Sequence, residues 1–575
     1  MPVHNEEIAR AFDEMADLLS LQDENPFRIL AYRRAAQSIR GQRRELAERI
    51  ARDEEPEHIA GIGKDLAGKI SELIATGRLR ALERLRRQVP PGLIELMAIP
   101  GLGPKRVRTL FTELKVRGRT DLERVTKSGA LANVAGFGPK LIAQIANALE
   151  MQRPEDRRWL RSDAARFAEP LAAYLREVDG VDEVMIAGSY RRGRDTVGDI
   201  DIVVSARSAE AVGAALHRYD EISSWEAEGG KRLTAKLRSG LQIDIRIGDA
   251  ASVGAAQHYF TGSKAHVIRI RRLAQERKLK INEYGVFRGR RLIAGDTEES
   301  VFASLGLPWI PAELREDRGE IELASAGKLP VLVTRKDLRG DLHAHTNASD
   351  GRDDLQAMAL AARAAGLEYL AITDHGSRLG ILHGLDERRM RQQMDAIDRL
   401  NEELVGLKLL KGIEVDILED GALALPDSLL AELDLVIGAV HGHFDLSESR
   451  QTMRVLRAMD HRAFSILAHP SGRLIGERSP LALDFERVLK VAKARPCFVE
   501  LDSQPKRLDL DDLRCRLACE QEVLVSIASD AHSVQQFDYL AGGILQARRG
   551  WLTPNDVLNT RSLAEVRRLL KSTIV

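Results

Sequence analysis

A chain of 575 residues has room for several domains, each with a sizeable apolar core. Its 86 lysines and arginines balance its 86 aspartates and glutamates, so net charge by itself points to no polyanionic partner. Three cysteines (Cys497, Cys515 and Cys519), no run near the roughly 18 apolar residues of a membrane span, and first thirty residues that alternate charged and apolar positions argue against a disulfide scaffold, a membrane span and a signal peptide; the expectation is a soluble cytoplasmic protein.

Residues 1 to 150 place apolar side chains three and four apart with few β-branched runs, which predicts an all-helical region. A repeat runs through it: "GIGKDLAGKI" from Gly61 and Gly63, "GLGPKRVRTL" from Gly101 and Gly103, and "GFGPKLIAQI" from Gly136 and Gly138. Each copy carries apolar residues near its seventh and tenth places, and its glycines allow a tight turn with backbone N–H groups bare at the start of a helix, a geometry that holds a phosphate. The three copies resemble helix-hairpin-helix DNA-backbone binders, whose contacts to phosphates carry no base preference. Arginine clusters at Arg33, Arg34, Arg40, Arg43 and Arg44, at Arg84, Arg86 and Arg87, and at Lys105, Arg106 and Arg108 fit either such a footprint or solvated helix faces.

Residues 151 to 310 mix strands with helices. In "GSYRRGRDTVGDIDIVV" two acids, Asp199 and Asp201, interrupt a β-branched apolar strand and share one face of it. Like charges beside an apolar core are unfavourable unless a cation lies between them. A third acid, Asp244, sits in the apolar strand "LQIDIRI". Oxygen-only ligation of this kind suits magnesium or manganese and can align a 3′ hydroxyl with an α-phosphate. Upstream, Gly188 and Ser189 form a turn where backbone and hydroxyl can hold nucleotide phosphates, with Arg192 beside them.

A charged stretch from 311 to 330 has the composition of a linker or docking arm. From about 338 onward, short apolar strands ("YLAITDH", "LKLLKGIEV", "LDLVIGAVH", "SILAHP", "CFVEL", "LVSIASDAH") alternate with helices and often end in histidine or an acid, as at the rim of a β/α barrel. His343, His345, Asp350, His375, Glu414, His441, His469, Asp530 and His532 lie at these strand ends; mixed nitrogen and oxygen donors suit manganese, zinc or iron. His443 competes with His441, which stands directly after its strand, and Asp374 reads as a partner that orients a ligand. Metal-bound hydroxide attacking a phosphoester is the chemistry expected of such a cluster.

The G-S, D-x-D and later D pattern resembles the nucleotidyltransferase palm of the family X DNA polymerases, and "YFTGSKAHVIRIRRLA" and "INEYG" extend the likeness. It implies that Tyr259, Phe260, Gly262 and Ser263 flank the incoming nucleotide, that Lys264 stands by the phosphates and that Arg271 reaches the template. Val267 departs from the family, which commonly has an asparagine there to touch the base. Lys69 falls where members with deoxyribose-phosphate lyase activity carry a Schiff-base lysine, and it reads equally as a phosphate-contacting lysine. The histidine-rich end resembles the polymerase and histidinol phosphatase (PHP) domain, a distorted β/α barrel holding up to three metals, and by that resemblance the nine residues above are its ligands.

Together these imply a multidomain bacterial family X polymerase: an all-α helix-hairpin-helix region with a lyase-like domain (1–85) and fingers (86–150), an α/β palm (151–250), a thumb-like subdomain (251–315), a linker (316–337) and a PHP barrel (338–575). The expected partners are gapped or nicked DNA and dNTPs, and the expected state is a monomer. The implied activities are gap filling in repair, a manganese-dependent 3′ to 5′ exonuclease and abasic-site cleavage. A template-independent nucleotidyltransferase and a non-catalytic DNA-end scaffold are the rival readings.

Overall fold

The computed structural model describes residues 5–573 apart from 23, 41–45, 47–49, 51–60, 91, 98, 100, 152–157 and 377–383. It divides into two compact units, Met1–Arg157 and Arg158–Val575, so the break falls a few residues after the expected boundary at 150. Arg43 and Arg44 lie outside the described residues.

The first unit is helical among its described residues. In α1 (Asn5–Leu21), Ile8, Phe12, Met15 and Leu19 recur at helical spacing and are buried against α2 (Pro26–Arg40), whose Tyr32 meets Phe12 edge to face. The three glycine repeats open α3 (Lys64–Thr76), α4 (Pro104–Leu114) and α5 (Pro139–Met151) with one shared backbone geometry. Gly61, Gly101 and Gly136 take φ of 83°, 87° and 86°, a region that favours glycine, and the carbonyls of Gly63, Gly103 and Gly138 accept the first helical bonds, from Ala67, Val107 and Ile142. A Cβ on Gly63, Gly103, Gly136 or Gly138 would meet nothing within 4 Å, so packing against the rest of the chain does not require glycine there and the turn is open to a ligand. Some of the clustered arginines are consumed internally. Arg86 pairs with Glu14 through two 2.6 Å contacts, and Arg33 with Asp13 and Asp17.

The second unit begins with α6 (Arg161–Arg176) laid on a five-stranded sheet of β1 (Val181–Ile186), β2 (Asp199–Ala206), β3 (Ile222–Gly229), β4 (Arg232–Leu237) and β5 (Gln242–Gly248), ordered β1-β2-β5-β4-β3. Only the β2–β5 pair is parallel, and it sets Asp201 opposite Asp244. Ile200, Ile202 and Val204 join the core with Leu171 and Leu175 of α6, which turns Asp199 and Asp201 to the other face. A helical turn, α7 (Gly188–Arg191), connects β1 toward β2. Beyond the sheet lie α8 (Val253–Thr261), α9 (Lys264–Glu276) and α10 (Glu298–Ala303).

The stretch expected to be a linker is folded. It forms α11 (Glu320–Ser325), and Ile321, Ala324 and Leu332 share a core with Ile270, Phe302, Leu305 and Trp551. Its Glu320 is buried and fully satisfied: it accepts the backbone N–H groups of Asp317 and Arg318 and pairs with His266 Nδ1 at 2.7 Å. Composition alone could not separate a solvated arm from one whose acids are satisfied at a helix start.

Seven short parallel strands follow in sequence order: β6 (Gly340–Asp341), β7 (Tyr369–Ile372), β8 (Lys408–Asp416), β9 (Leu435–Ala439), β10 (Ile466–Leu467), β11 (Phe498–Asp502) and β12 (Val525–Ala528). A bridge between Ala344 and Ala531 brings the first strand's extension to the last, so the barrel is nearly closed. Cys497 and Cys515 are buried as small apolar groups, whereas Cys519 is only half-buried. Among the described residues no helix is long and apolar enough to cross a membrane.

Fully buried Arg315 binds Glu298 through contacts of 2.6 and 3.1 Å, and Arg191 binds the same carboxylate at 2.7 and 2.9 Å. Burial would raise the Glu298 carboxyl, but Arg315 and Arg191 hold it well below the usual range, so its contribution to stability persists at neutral and mildly acidic pH and is lost only as pH falls through that lowered value. Glu298→Ala strands a buried guanidinium and should cost roughly 3–5 kcal/mol, read as a lower denaturant midpoint for this unit.

Candidate active sites

A cleft of about 1000 Å³ opens over the β2 end of the sheet. Gly188, Ser189, Arg192, Asp199, Asp201, Tyr259, Phe260, Gly262, Lys264, Val267 and Arg271 line it, together with Arg158, Arg194, Ile268 and Glu316. Ser263 stands apart from the lining, because its hydroxyl caps α9 by accepting the N–H of His266. Asp244 lies behind the cleft, with its carboxylate accepting Thr234 Oγ1 at 2.6 Å and Gln242 Nε2 at 2.8 Å. Val267 and Ile268 form an apolar patch on the α9 wall between Lys264 and Arg271.

Burial, reinforced by Asp199 and Asp244, lifts the Asp201 carboxyl to about 7; burial and Asp244 raise that of Asp199. Hard oxygen donors crowded until they resist ionisation are the environment that a divalent cation relieves. Gly188, at φ 61°, leaves the room: a Cβ there would stand 2.2 Å from Asp201 Oδ2. Arg158, Arg194 and Glu316 escape sequence reasoning, because each gains its place only through the fold. Lys69 forms a 2.5 Å ion pair with Asp65 and lies 5.9 Å from the Tyr32 ring centre, an arrangement that suits a structural or phosphate-facing lysine.

In the barrel, the other eight strand-end residues gather around Glu414. His375 Nδ1 and His343 Nε2 approach its Oε2 at 3.0 and 3.4 Å, while His469 Nε2 and His441 Nε2 approach its Oε1 at 3.0 and 3.1 Å. His345 Nε2 lies 3.1 Å from Asp530, and His532 Nε2 lies 3.2 Å from Asp350. Among the described residues three overlapping groups have donor atoms mutually within 4.8 Å: His345, Asp350, His375 and His532; His343, His345 and Asp530; and His375, Glu414 and His441. His443 points away toward Glu419 and is largely exposed. Asp374 touches no imidazole; fully buried, it accepts Thr346 N and Oγ1 and Ser349 Oγ, and so ties down the loop between His345 and Asp350.

Burial opposes charge on every ring here, and the neighbouring acids decide the outcome. Glu414 and Asp416 carry His441 up to about 9, and Asp530 and Asp350 do the same for His532; burial wins at His345 and His469, lowered to about 4 and about 3. Such a mixed, dry donor set fits divalent metal. Two acids missed in the sequence complete it: Glu500 Oε1 lies 2.6 Å from His343 Nδ1, and Asp416 Oδ1 lies 2.7 Å from His441 Nδ1, each fixing the ring nitrogen that faces inward. The available signal was an acid inside the apolar strand "FVELD", the same signal that marks Asp199.

Family models match in the same order: a helix-hairpin-helix domain at 3–79, a SAM-like helix-hairpin-helix tandem at 93–151, a DNA polymerase beta palm at 158–262, a DNA polymerase beta thumb at 256–316 and a PHP domain at 341–495. The DNA polymerase/3'-5' exonuclease PolX of Bacillus subtilis is 34% identical over 573 residues, 99% of this chain and 100% of the relative. The chain belongs to the family X DNA polymerases that carry a PHP domain. Its two halves have separate likenesses as well. A probable phosphatase of Thermoanaerobacter sp. is 28% identical over 40% of this chain and 94% of its own, and DNA polymerase lambda of Arabidopsis thaliana is 25% identical over 46% of this chain and 54% of its own. For a family X enzyme of this type the hairpin, palm and thumb regions mean DNA binding, and both sites mean divalent metal.

Gly188→Ala should reduce nucleotide incorporation at least a hundredfold while leaving degradation of DNA intact, measured on one preparation. Glu500→Gln should weaken metal binding in the barrel by roughly 10–100-fold, measured by titration of metal-stripped protein, because the His343 ring exchanges its charged acceptor for a weaker neutral one.

Proposed function

We propose that this polymerase fills short gaps in damaged DNA by template-directed addition of dNTPs, and that its barrel trims 3′ ends as a phosphodiesterase. What carries the reading is a single cleft in which cationic side chains (Arg192, Lys264, Arg271) face half-buried acids (Asp199, Asp201), the pairing that a nucleoside triphosphate with its cations requires. Ser189, the α7 backbone and Arg192 hold the phosphates, with Lys264 opposite; Tyr259 and Phe260 pack against the sugar and base; Arg271 reaches the template. Val267 and Ile268 offer the base only van der Waals contact, so base selection rests mainly on pairing with the template. Asp199, Asp201 and Asp244 would hold magnesium or manganese, which when bound lowers the pKa of the 3′ hydroxyl and neutralises the leaving pyrophosphate. In the barrel, His343, His345, Asp350, His375, Glu414, His441, His469, Asp530 and His532 would hold manganese, zinc or iron, with Glu500 and Asp416 fixing the rings.

The glycine hairpins grip the DNA backbone through N–H groups at the starts of α3, α4 and α5, so binding is independent of sequence and strongly salt-dependent. The PolX name of the Bacillus subtilis relative, polymerase and 3'-5' exonuclease, supports the two-activity reading.

On a labelled gapped duplex with manganese, Asp199→Ala plus Asp201→Ala should abolish synthesis and spare degradation, and His343→Ala plus His345→Ala should do the reverse. Loss of both activities in both variants would defeat the assignment of one reaction to each site. Extension of single-stranded DNA as fast as a gapped duplex would favour template-independent transfer instead.

A further inference from the structure

The nucleotide cleft is not built by the palm and thumb alone. Arg549, at the end of the barrel helix α13 (Leu540–Arg549), reaches out of the barrel with a side chain only 2% exposed. Its Nη1 donates to the Arg192 carbonyl at 2.8 Å and to Glu316 Oε1 at 2.9 Å, the same carboxylate oxygen that accepts Arg192 Nε at 3.2 Å. Its Nη2 donates at 2.7 Å to Asp512 of α12 (Asp512–Glu520), which also accepts Arg318 at 2.9 Å. One turn earlier on α13, Leu545 packs so close that a Cβ on Gly193 would lie 2.4 Å from its Cγ. A second tie joins the same loop to the barrel: Asp195 pairs at 3.1 Å with Arg473, which also donates to the carbonyls of Arg507 and Leu508.

We infer that Arg549 of the PHP barrel is a positioning residue of the polymerase site, holding Glu316 so that Arg192 presents its charge to the incoming triphosphate. The argument is one of charge and of competition. Three guanidiniums (Arg192, Arg318 and Arg549) face two carboxylates (Glu316 and Asp512), which leaves one positive charge, and Arg192 and Glu316 both line the cleft. Without Arg549 the network is neutral. Glu316, losing one of its two cations, then draws Arg192 into a closed pair, and a guanidinium bound to its own carboxylate competes poorly for phosphate. The barrel thus sets nucleotide affinity as well as carrying its own chemistry. This rests on the reading of Arg192 as a triphosphate ligand.

The test uses full-length enzyme on a gapped duplex, with KM for dNTP and kcat measured separately and manganese-dependent 3′ degradation of single-stranded DNA as the barrel's own readout. Arg549→Met should raise KM about tenfold with kcat within about twofold and degradation unchanged. Arg549→Lys, which keeps the charge, should recover most of the loss, and Glu316→Gln in the Arg549→Met background should restore KM by removing the acid that competes for Arg192. Arg192→Met is made alongside. If it raises KM while Arg549→Met does not, the barrel's role is refuted and the nucleotide reading stands; if Arg192→Met leaves KM unchanged, both fall. Parallel loss of synthesis and degradation in Arg549→Met, without rescue by Glu316→Gln, would also overturn the inference. Should Arg549→Met fail to fold, Glu316→Gln alone decides: a lowered KM supports the inference and an unchanged or raised KM defeats it.

Discussion

Buried carboxylates and the cations that must answer them organise this protein. A carboxylate taken out of water needs a guanidinium, an imidazole or a metal beside it, and each important acid here has a different answer. Glu298 is closed by Arg315 and Arg191, and it locks the α10 segment to the palm. Glu414 is surrounded by imidazoles whose nitrogens are themselves metal donors. Asp199 and Asp201 are answered only in part, by the charges of Arg158, Arg192 and Arg246, and burial with the neighbouring acids pushes Asp201 up to about 7. The first arrangement is structural; the other two are sites where a divalent cation belongs.

The two sites are built by one device used on two folds. In the palm, parallel pairing of β2 with β5 brings Asp201 opposite Asp244. In the barrel, seven parallel strands end on one rim and bring nine histidines and acids together from positions spread between 343 and 532. In both, the strands are too apolar to slip by a residue without exposing the core, so the register that buries isoleucine and valine also aims the acids. Precision at the sites follows from the packing of the sheets behind them.

Much of the site was legible because these signals are local in the chain. An acid two residues from another within β-branched sequence, or a histidine closing an apolar strand, is anomalous by itself and needs no contact map. Glu500 carries the same mark within "FVELD", a strand that ends in an acid rather than a histidine. Ser263 carries two readings in the sequence, because a hydroxyl before a helix can cap it or donate to a phosphate; in the fold it caps α9 by accepting the His266 N–H. The 316–337 stretch misled by composition, because charged residues at a helix start and in buried pairs look the same in sequence as charges in solvent.

By itself the amino-acid order determined the strand and helix periods, the three glycine turns and which acids and histidines sit at strand ends, because those depend on neighbours within a few residues. The meeting of Arg192, Glu316 and Arg549, the ring-fixing contacts of Glu500 and Asp416, and the pairing of Arg33 and Arg86 with acids of α1 were decided only by tertiary structure. A charged side chain carries no mark of its partner; which opposite charge it meets is set by the packing of apolar faces far away in sequence.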